Sequence, residues 1–236
     1  EIYKFGKYEN ASTSEDYFQD FYKIIKNIIG NKGTLCINTY TFGTLRQNET
    51  FNYNSCKTTS GKLGEVILQD KQSIRSDHPV FSLTSVGKHS KYISKNNSKH
   101  NYGYNSPYWK ILKSNGKILS LGMEPWLNPF NHIAEYITGV PYYFNKHTEV
   151  KYFKNKKKLN KTYSSFVRYL NFNLVPNYKI IKKELKKEKL VKQKKLGDGY
   201  VFSMDSNKYF NMILKILSKN QFALINKKLF LDSIKK

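Results

Sequence analysis

The sequence predicts a mixed α/β fold in a single domain. Apolar residues recur at helical spacing in several segments, for example over 14–29, where Gly30 would end the helix. Short apolar runs rich in β-branched residues, such as Thr34 to Ile37, lie between these segments and are typical of buried strands. Helices and strands that alternate along a chain pack as layers around one core. No Pro/Ser/Gly-rich linker divides the 236 residues, so we expect one domain over 1–236.

Capping and turn residues set the limits of the elements in the N-terminal half. Ser12 and Glu15 form a predicted capping box before the first helix. Pro107 follows Ser106, a favoured pair for the first helical position and the N-cap, and predicts the start of a later helix. These signals predict, in order, a helix over 14–29, a strand over 34–37, a helix over 62–70, a helix from 107 to Asn115-Gly116 and a strand over 117–121.

The C-terminal half opens with a helix that has Asn128 as N-cap, Pro129 at the first helical position and Gly139 as its stop. Because charged residues favour solvent, the lysine-rich stretch 155–160 is expected to be the exposed tip of a hairpin. The further predicted elements are strands over 142–153 and 162–170, a helix after Pro176, a strand-like stretch, a turn at 197–199, a strand over 200–203 and a final helix capped by Asp205 or Ser206.

The net charge of the chain is +24, with 41 Lys and Arg residues against 17 Asp and Glu residues. A field of this sign attracts polyanions non-specifically. Only Arg46, Arg75 and Arg168 are arginine, however, and recognition of base edges favours arginine. The lysine excess is therefore more typical of the codon bias of an AT-rich genome than of a nucleic-acid-binding surface, and we expect no specific nucleic-acid partner.

Membrane, disulfide and metal chemistry are not indicated. The chain has no run of 18 apolar residues and no leader peptide, which predicts a cytoplasmic protein without a membrane segment. Cys36 and Cys56 fit neither a disulfide framework nor a zinc site, and neither has the neighbours that would make a reactive thiolate. His89, His100 and His147 share no spacing suited to a metal.

His132 and Glu135 are the candidate catalytic pair. They lie three residues apart near the start of a predicted helix, so their side chains share a face. The positive end of the helix dipole disfavours imidazolium and keeps His132 in the neutral form that a general base needs. The preceding strand would place the pair beyond its C-terminal end, where α/β sheets gather ligands. The alternative interpretation, and the commoner one for this spacing alone, is a partly buried polar pair.

Motifs that occur in one order along nearly the whole chain resemble the aminoglycoside 3-N-acetyltransferase family. These motifs are Ser60-Gly61-Lys62-Leu63-Gly64-Glu65, Arg-Ser-x-His-Pro-x-x-Ser at 75–82, Gly103 to Pro107, the strand at 118–122 and His-x-x-Glu at 132–135. The resemblance implies a three-layer α/β/α sandwich with a central mixed sheet. It also implies an N-acetyltransferase that uses acetyl-CoA as cosubstrate.

The resemblance further assigns roles to individual residues. It makes His132 the general base and Glu135 its acidic neighbour. The four residues implied on the cofactor side are Ser60, Arg75, His78 and Ser82. The residues alone leave alternatives open, since His78 could bind a loop carbonyl, Arg75 could pair with Asp77 or Glu65, and the two serines could cap helices or form turns.

Two departures from the family pattern bear on the acceptor and the N-terminus. The family begins with a strand ending in His-Ser-Ser-Leu that seats the cofactor, and we expect this chain to lack that strand before Glu1. Pro129 replaces a threonine of many drug-modifying members, and Gly139 to Tyr143 is closer to members encoded among surface-polysaccharide genes. An amino sugar is therefore expected ahead of an aminoglycoside as the small-molecule acceptor. The alternative is a degenerate or non-enzymatic lysine-rich module that binds polyanions such as RNA or acidic glycans.

Overall fold

A computed structural model of the chain describes residues 2–6, 12–43 and 50–235. These residues form a mixed α/β fold, which confirms the predicted class. The chain divides into two compact units: unit 1 comprises Glu1–Gly6, Ile111–Asn145 and Phe166–Lys236, and unit 2 comprises Lys7–Lys110 and Lys146–Ser165.

Helices and strands alternate within the described ranges. The α-helices are α1 (Ser14–Ile29), α2 (Lys62–Gln69), α3 (Ser90–Ser94), α4 (Pro107–Lys113), α5 (Phe130–Thr138), α6 (Lys179–Lys187), α7 (Ser206–Lys219) and α8 (Lys227–Ile234), and a 3₁₀ helix covers Ile2–Phe5. The strands are β1 (Thr34–Asn38), β2 (Phe51–Asn52), β3 (Ile74–Arg75), β4 (Leu83–Gly87), β5 (Lys117–Leu121), β6 (Tyr143–Lys154), β7 (Lys157–Arg168), β8 (Lys192–Leu196) and β9 (Gly199–Asp205). None of these helices has the length and apolar character needed to cross a bilayer.

The core of unit 2 forms between helices and a short antiparallel sheet in the order β1-β4-β3, where Cys36 opposes Ser85. Apolar side chains of α1 and α2 pack against β1 and β4 because each helix is amphipathic. The members of this cluster are Tyr22, Val66, Ile67 and Val86, with Phe18, Leu35, Ile37 and Leu63 packed against them. A parallel pairing of β2 with β6 supports a second cluster of Phe51, Val150, Tyr152 and Tyr163.

Unit 1 contains an antiparallel sheet in the order β5-β9-β8, in which Lys117 opposes Asp205. Helix α5 packs on α7, and Ile133, Tyr209 and Ile213 are fully buried. Asp205 caps α7, since its side chain accepts a hydrogen bond from the backbone N–H of Lys208. This packing fixes the helix that carries the candidate base.

The capping box of α1 lies one residue later than predicted from Ser12 and Glu15. Thr13 is the N-cap, and its hydroxyl accepts from Asp16 N at 3.1 Å while the Asp16 carboxylate accepts from Thr13 N at 3.0 Å. The hydroxyl of Ser12 also donates to Asp16 at 2.8 Å. The sequence pattern predicts a capping box here, but Ser12 and Thr13 both have a hydroxyl, and the pattern alone does not decide which of them is the N-cap.

The predicted hairpin loop at 155–160 is wrong. Strands β6 and β7 are joined by the two-residue turn Asn155-Lys156, and Lys157 already belongs to β7. Both turn residues have positive φ, 49° and 64°, as in the type I′ turns whose twist matches that of the flanking strands. Residues 155–160 are exposed, as expected. The lysines therefore predicted solvent exposure correctly, but they did not mark where the strands end.

Candidate active site

His132 and Glu135 lie one turn apart on α5 and form a direct hydrogen bond. The distance from His132 Nδ1 to Glu135 Oε2 is 2.6 Å. The side chain of His132 is 35% exposed and that of Glu135 is 5% exposed. The imidazole is therefore neither sealed in packing nor fully solvated, and its carboxylate neighbour lies beneath it in the protein.

The ends of α5 position this pair. The N-cap is Pro129, one residue after the predicted Asn128, and the Asn128 side chain accepts from Phe130 N at 3.0 Å. Asn128 thus satisfies an N–H at the helix start without occupying the cap position itself. Gly139 ends the helix in the left-handed conformation, as predicted, with φ of 63°.

Tyr142 binds the second oxygen of the Glu135 carboxylate. Its hydroxyl donates to Glu135 Oε1 at 2.9 Å, and its side chain is fully buried. Each oxygen of Glu135 therefore accepts from a different side chain. Sequence reasoning missed Tyr142, although Tyr142 lies only three residues after the Gly139 stop.

These contacts define the protonation of the site. A carboxylate accepts hydrogen bonds, so His132 donates from Nδ1–H, and in the neutral ring the basic lone pair is then on Nε2. Burial, together with the negative charge of Glu135, raises the pKa of Tyr142, Tyr143 and Tyr178 above the usual value for tyrosine. These phenols remain protonated at neutral pH, and Tyr142 remains a donor.

Aromatic rings pack beside the imidazole. The ring centroids of His132 and Tyr143 are 5.5 Å apart, and Tyr143 stacks on Phe166 at 5.0 Å. Tyr136 meets the same Phe166 edge-on at 5.5 Å. Such contacts restrict the ring of His132 to few orientations.

The loop before α5 is tied to the helix through Asn131. Its amide Nδ2 donates to the backbone oxygen of Trp126 at 2.8 Å, and its Oδ1 accepts from Tyr209 at 2.6 Å. The ammonium of Lys182 lies 4.2 Å from the centroid of the Trp126 ring. Trp126 is half-buried, so this loop is packed against the protein where α5 begins.

Arg75 and Ser82, two of the residues implied on the cofactor side, are in direct contact within unit 2. Arg75 Nε donates to Ser82 Oγ at 2.9 Å, and its Nη atoms donate to Cys56 O, Thr39 O and Thr41 Oγ1 at 2.7–2.9 Å. Arg75 is 5% exposed, and burial lowers its pKa. In the described part of the chain these partners are all neutral oxygens.

The predicted alternative for Arg75, an ion pair with Asp77 or Glu65, is not what forms. Asp77 pairs with Lys154 at 2.6 Å, and Glu65 pairs with Lys62 at 3.0 Å. Arg75 therefore links its own strand, β3, to three loop segments through hydrogen bonds.

His78 and Ser60 also bind the protein itself. His78 Nδ1 accepts from Phe81 N at 3.1 Å, so the proton is on Nε2, which lies 3.2 Å from Ser164 O. Burial lowers the pKa of His78 to about 4, which keeps the ring neutral. Ser60 is exposed before α2, and its hydroxyl accepts from Tyr40 N at 2.8 Å. The cofactor roles of these residues stay predictions.

A cavity of about 470 Å³ lies within unit 2. Arg75, of the four residues implied on the cofactor side, is among the residues that line it, together with Tyr53, Cys56 and Lys57. Both cysteines are free, and burial raises the pKa of Cys36 to about 12, so this sulfur remains a thiol. Among the residues that the structure describes, no group of three or more His, Cys, Asp or Glu side chains could hold a metal.

Comparison with known proteins identifies one family. The family model described as aminoglycoside 3-N-acetyltransferase matches residues 5–218. No curated protein sequence matches the chain.

Similar solved structures share the fold at low sequence identity. The apoenzyme of aminoglycoside acetyltransferase AAC(3)-IVa is 17% identical with a TM-score of 0.76, over 98% of this chain and 86% of that chain. AAC-IIIb in a binary complex with CoASH is 17% identical with a TM-score of 0.75, over 92% of this chain and 87% of that chain. A histidine-to-alanine mutant of AAC(3)-IVa in complex with a gentamicin is 17% identical with a TM-score of 0.73, over 95% of this chain and 81% of that chain.

Proposed function

The chain belongs to the aminoglycoside 3-N-acetyltransferase family, and we propose on this basis that it acetylates a primary amine of an amino sugar or aminoglycoside with His132 as general base. Members of this enzyme class are acyltransferases, and acetyl-CoA is the cosubstrate. The observation that carries the proposal is the 2.6 Å hydrogen bond between His132 Nδ1 and Glu135, which leaves the basic lone pair of the neutral ring on Nε2.

The chemistry requires a base because an alkylammonium has no lone pair with which to attack a thioester. His132 Nε2 takes the proton from the amine, and Glu135 stabilises the imidazolium that results. The amine nitrogen then attacks the acetyl carbonyl carbon, the carbon–sulfur bond breaks, and the imidazolium returns a proton to the departing sulfur. The attacking nitrogen loses its second proton to solvent as the neutral amide forms. No covalent enzyme intermediate is needed.

The cofactor side of the proposed site comprises Ser60, Arg75, His78 and Ser82. All four hold backbone or side-chain partners, which supports a role in shaping the loops that face the cofactor. Arg75 also lines the cavity in unit 2. We propose that these residues act on acetyl-CoA mainly through the shape and charge of those loops.

The acceptor is proposed to be a sugar that carries a primary amine. One structural neighbour binds a gentamicin, which supports an aminoglycoside. The stretch Gly139 to Tyr143 supports an amino sugar of polysaccharide biosynthesis, and we propose that the reaction occurs in the cytoplasm. Both acceptors carry a primary amine, so the same base serves either one.

His132→Gln tests the proposal. We expect kcat for acetyl transfer to fall about 10²- to 10⁴-fold, because glutamine keeps polar contacts but cannot take a proton. The measurement is release of the CoA thiol in the presence of acetyl-CoA and a panel of amino sugars and aminoglycosides. His147→Gln, a change at an exposed histidine of β6, is the matched control and should keep normal turnover. Normal turnover by His132→Gln would falsify the assignment of the base.

A further inference from the structure

The carboxylate of Glu135 lies between two donors, and the requirement for a base explains only one of them. His132 Nδ1 donates to Oε2 and the Tyr142 hydroxyl donates to Oε1. Glu135 is 4% exposed and Tyr142 is fully buried. The orientation of a buried carboxylate is set by the donors that it accepts from. Tyr142 therefore fixes one of the two oxygens of this group.

Tyr142 is itself fixed by aromatic packing. Its ring centroid is 5.4 Å from that of Tyr143, 6.4 Å from that of Phe222 and 6.2 Å from that of Phe230. These rings restrain the Tyr142 side chain, and its hydroxyl therefore has a defined position. The glutamate, which has three rotatable side-chain bonds, is the more flexible partner of the two.

We infer that Tyr142 is a positioning residue for the general base: its hydroxyl holds Glu135 so that the other carboxylate oxygen keeps His132 in the Nδ1–H tautomer. The inference rests on the proposed function of His132. The order of contacts is Tyr142 Oη–H to Glu135 Oε1, and His132 Nδ1–H to Glu135 Oε2. Tyr142 acts through Glu135 and transfers no proton.

The state of the phenol agrees with this role. Burial and the charge of Glu135 raise the pKa of Tyr142, so its hydroxyl keeps its proton at neutral pH. A phenolate at this position would repel the carboxylate instead of holding it. Phenylalanine is therefore the informative substitution, since it keeps the ring and removes only the donor.

Tyr142→Phe is expected to lower kcat about tenfold and to change the KM for acetyl-CoA less than about twofold, because the base loses alignment while cofactor binding is retained. The matched control is Tyr22→Phe. Tyr22 is also buried, and its hydroxyl donates to the carboxylate of Asp70 at 2.7 Å, but Asp70 contacts a lysine rather than a histidine. Tyr22→Phe removes the same kind of hydrogen bond and should leave kcat within about twofold.

A double-mutant cycle separates positioning from general support of the fold. If Tyr142 acts through Glu135, adding Tyr142→Phe to Glu135→Gln should change kcat less than about twofold. An equal tenfold loss in both backgrounds would show that Tyr142 acts independently of Glu135 and would overturn the inference.

Nitrogen-15 NMR of the histidine rings tests the inference without turnover. The chain has five histidines, and the His132 signals are those absent from His132→Gln. We expect the Nδ1–H tautomer in the wild type and in Tyr22→Phe, and a shift toward Nε2–H in Tyr142→Phe. If no amine is acetylated, the proposed function fails, and the tautomer still decides the role of Tyr142. An unchanged tautomer in Tyr142→Phe would overturn that role.

Discussion

Arg75 is the first residue of the Arg-Ser-x-His-Pro-x-x-Ser motif, and the contacts that the structure gives it are with the protein itself. Its guanidinium binds three backbone or hydroxyl oxygens besides Ser82, and it lies 5.1 Å from the centroid of the Phe51 ring. A buried cation without a carboxylate is costly unless its N–H groups are satisfied. The planar fork of arginine meets that need, whereas the ammonium of lysine has three donors on one atom.

Arg75→Lys is therefore expected to reduce the free energy of unfolding by about 2–4 kcal/mol, because several buried oxygens lose their donors. Urea denaturation measures the change. Arg168→Lys, at an exposed position, should stay within about 0.5 kcal/mol of the wild type. Unchanged stability of Arg75→Lys, together with a raised KM for acetyl-CoA, would instead assign Arg75 to direct cofactor binding.

The sequence could predict the candidate catalytic pair but not the tyrosine that contacts it. His132 and Glu135 are three positions apart on one helix, so helical geometry alone brings them together. Tyr142 lies beyond Gly139, where α5 has ended, and its contact with Glu135 depends on how the chain turns there. The motif around His78 could be found in the sequence, but the partners of this residue could not. Its hydrogen bonds are with the backbone of the protein itself.

At the scale of elements, Asp70 joins the two helices that cover the sheet of unit 2. Asp70 follows α2, and it accepts hydrogen bonds from Lys26 and Tyr22 of α1, each at 2.7 Å. Burial alone would raise the pKa of Asp70, but these hydrogen bonds outweigh it and hold the pKa below 3.8. The ionised form of Asp70 therefore contributes to the stability of this packing.

Asp70→Asn is expected to lower the free energy of unfolding at pH 7 by about 1–2 kcal/mol, because a charged acceptor is lost. Since the pKa of Asp70 is lower in the folded state, its contribution is fully present above the unfolded value of 3.8 and is lost as the pH falls through the folded pKa. Urea unfolding from pH 7 to pH 3 should show the gap between variant and wild type closing. Asp232→Asn, at an exposed site, serves as control, and a gap that stays constant with pH would contradict the prediction.

Local signals predicted the long elements and missed the short ones. Hydrophobic periodicity and caps placed α1, β1, α2 and β5 within a residue or two, because each buries one face of its own sequence. Strands β2 and β3 have two residues each, too few for any period to be visible. The pairing of β1 with β4 joins distant parts of the chain, and this register depends on tertiary packing.

For the whole molecule, the mixed α/β class and the family are confirmed, and the three-layer arrangement stays a prediction. The feature from which we expect an effect on activity at this scale is the net charge of +24. Such a field attracts acetyl-CoA, which carries several phosphate charges, and repels an aminoglycoside, which carries several ammonium groups. The origin of the lysines in codon usage would not alter this effect, because the field depends only on the charges present.

The KM for acetyl-CoA should therefore rise roughly threefold or more when salt increases from low ionic strength to about 0.3 M, because screening weakens long-range attraction. Over the same range the KM for an aminoglycoside should fall. The KM for an uncharged acceptor, such as a sugar that carries a hydroxylamine, should change little. Steady-state kinetics with each acceptor against ionic strength measures the three trends, with kcat as the internal control for intact chemistry. If the KM for acetyl-CoA did not respond to salt, the lysine field would have no part in cofactor capture, and local contacts such as those around Arg75 would have to supply it.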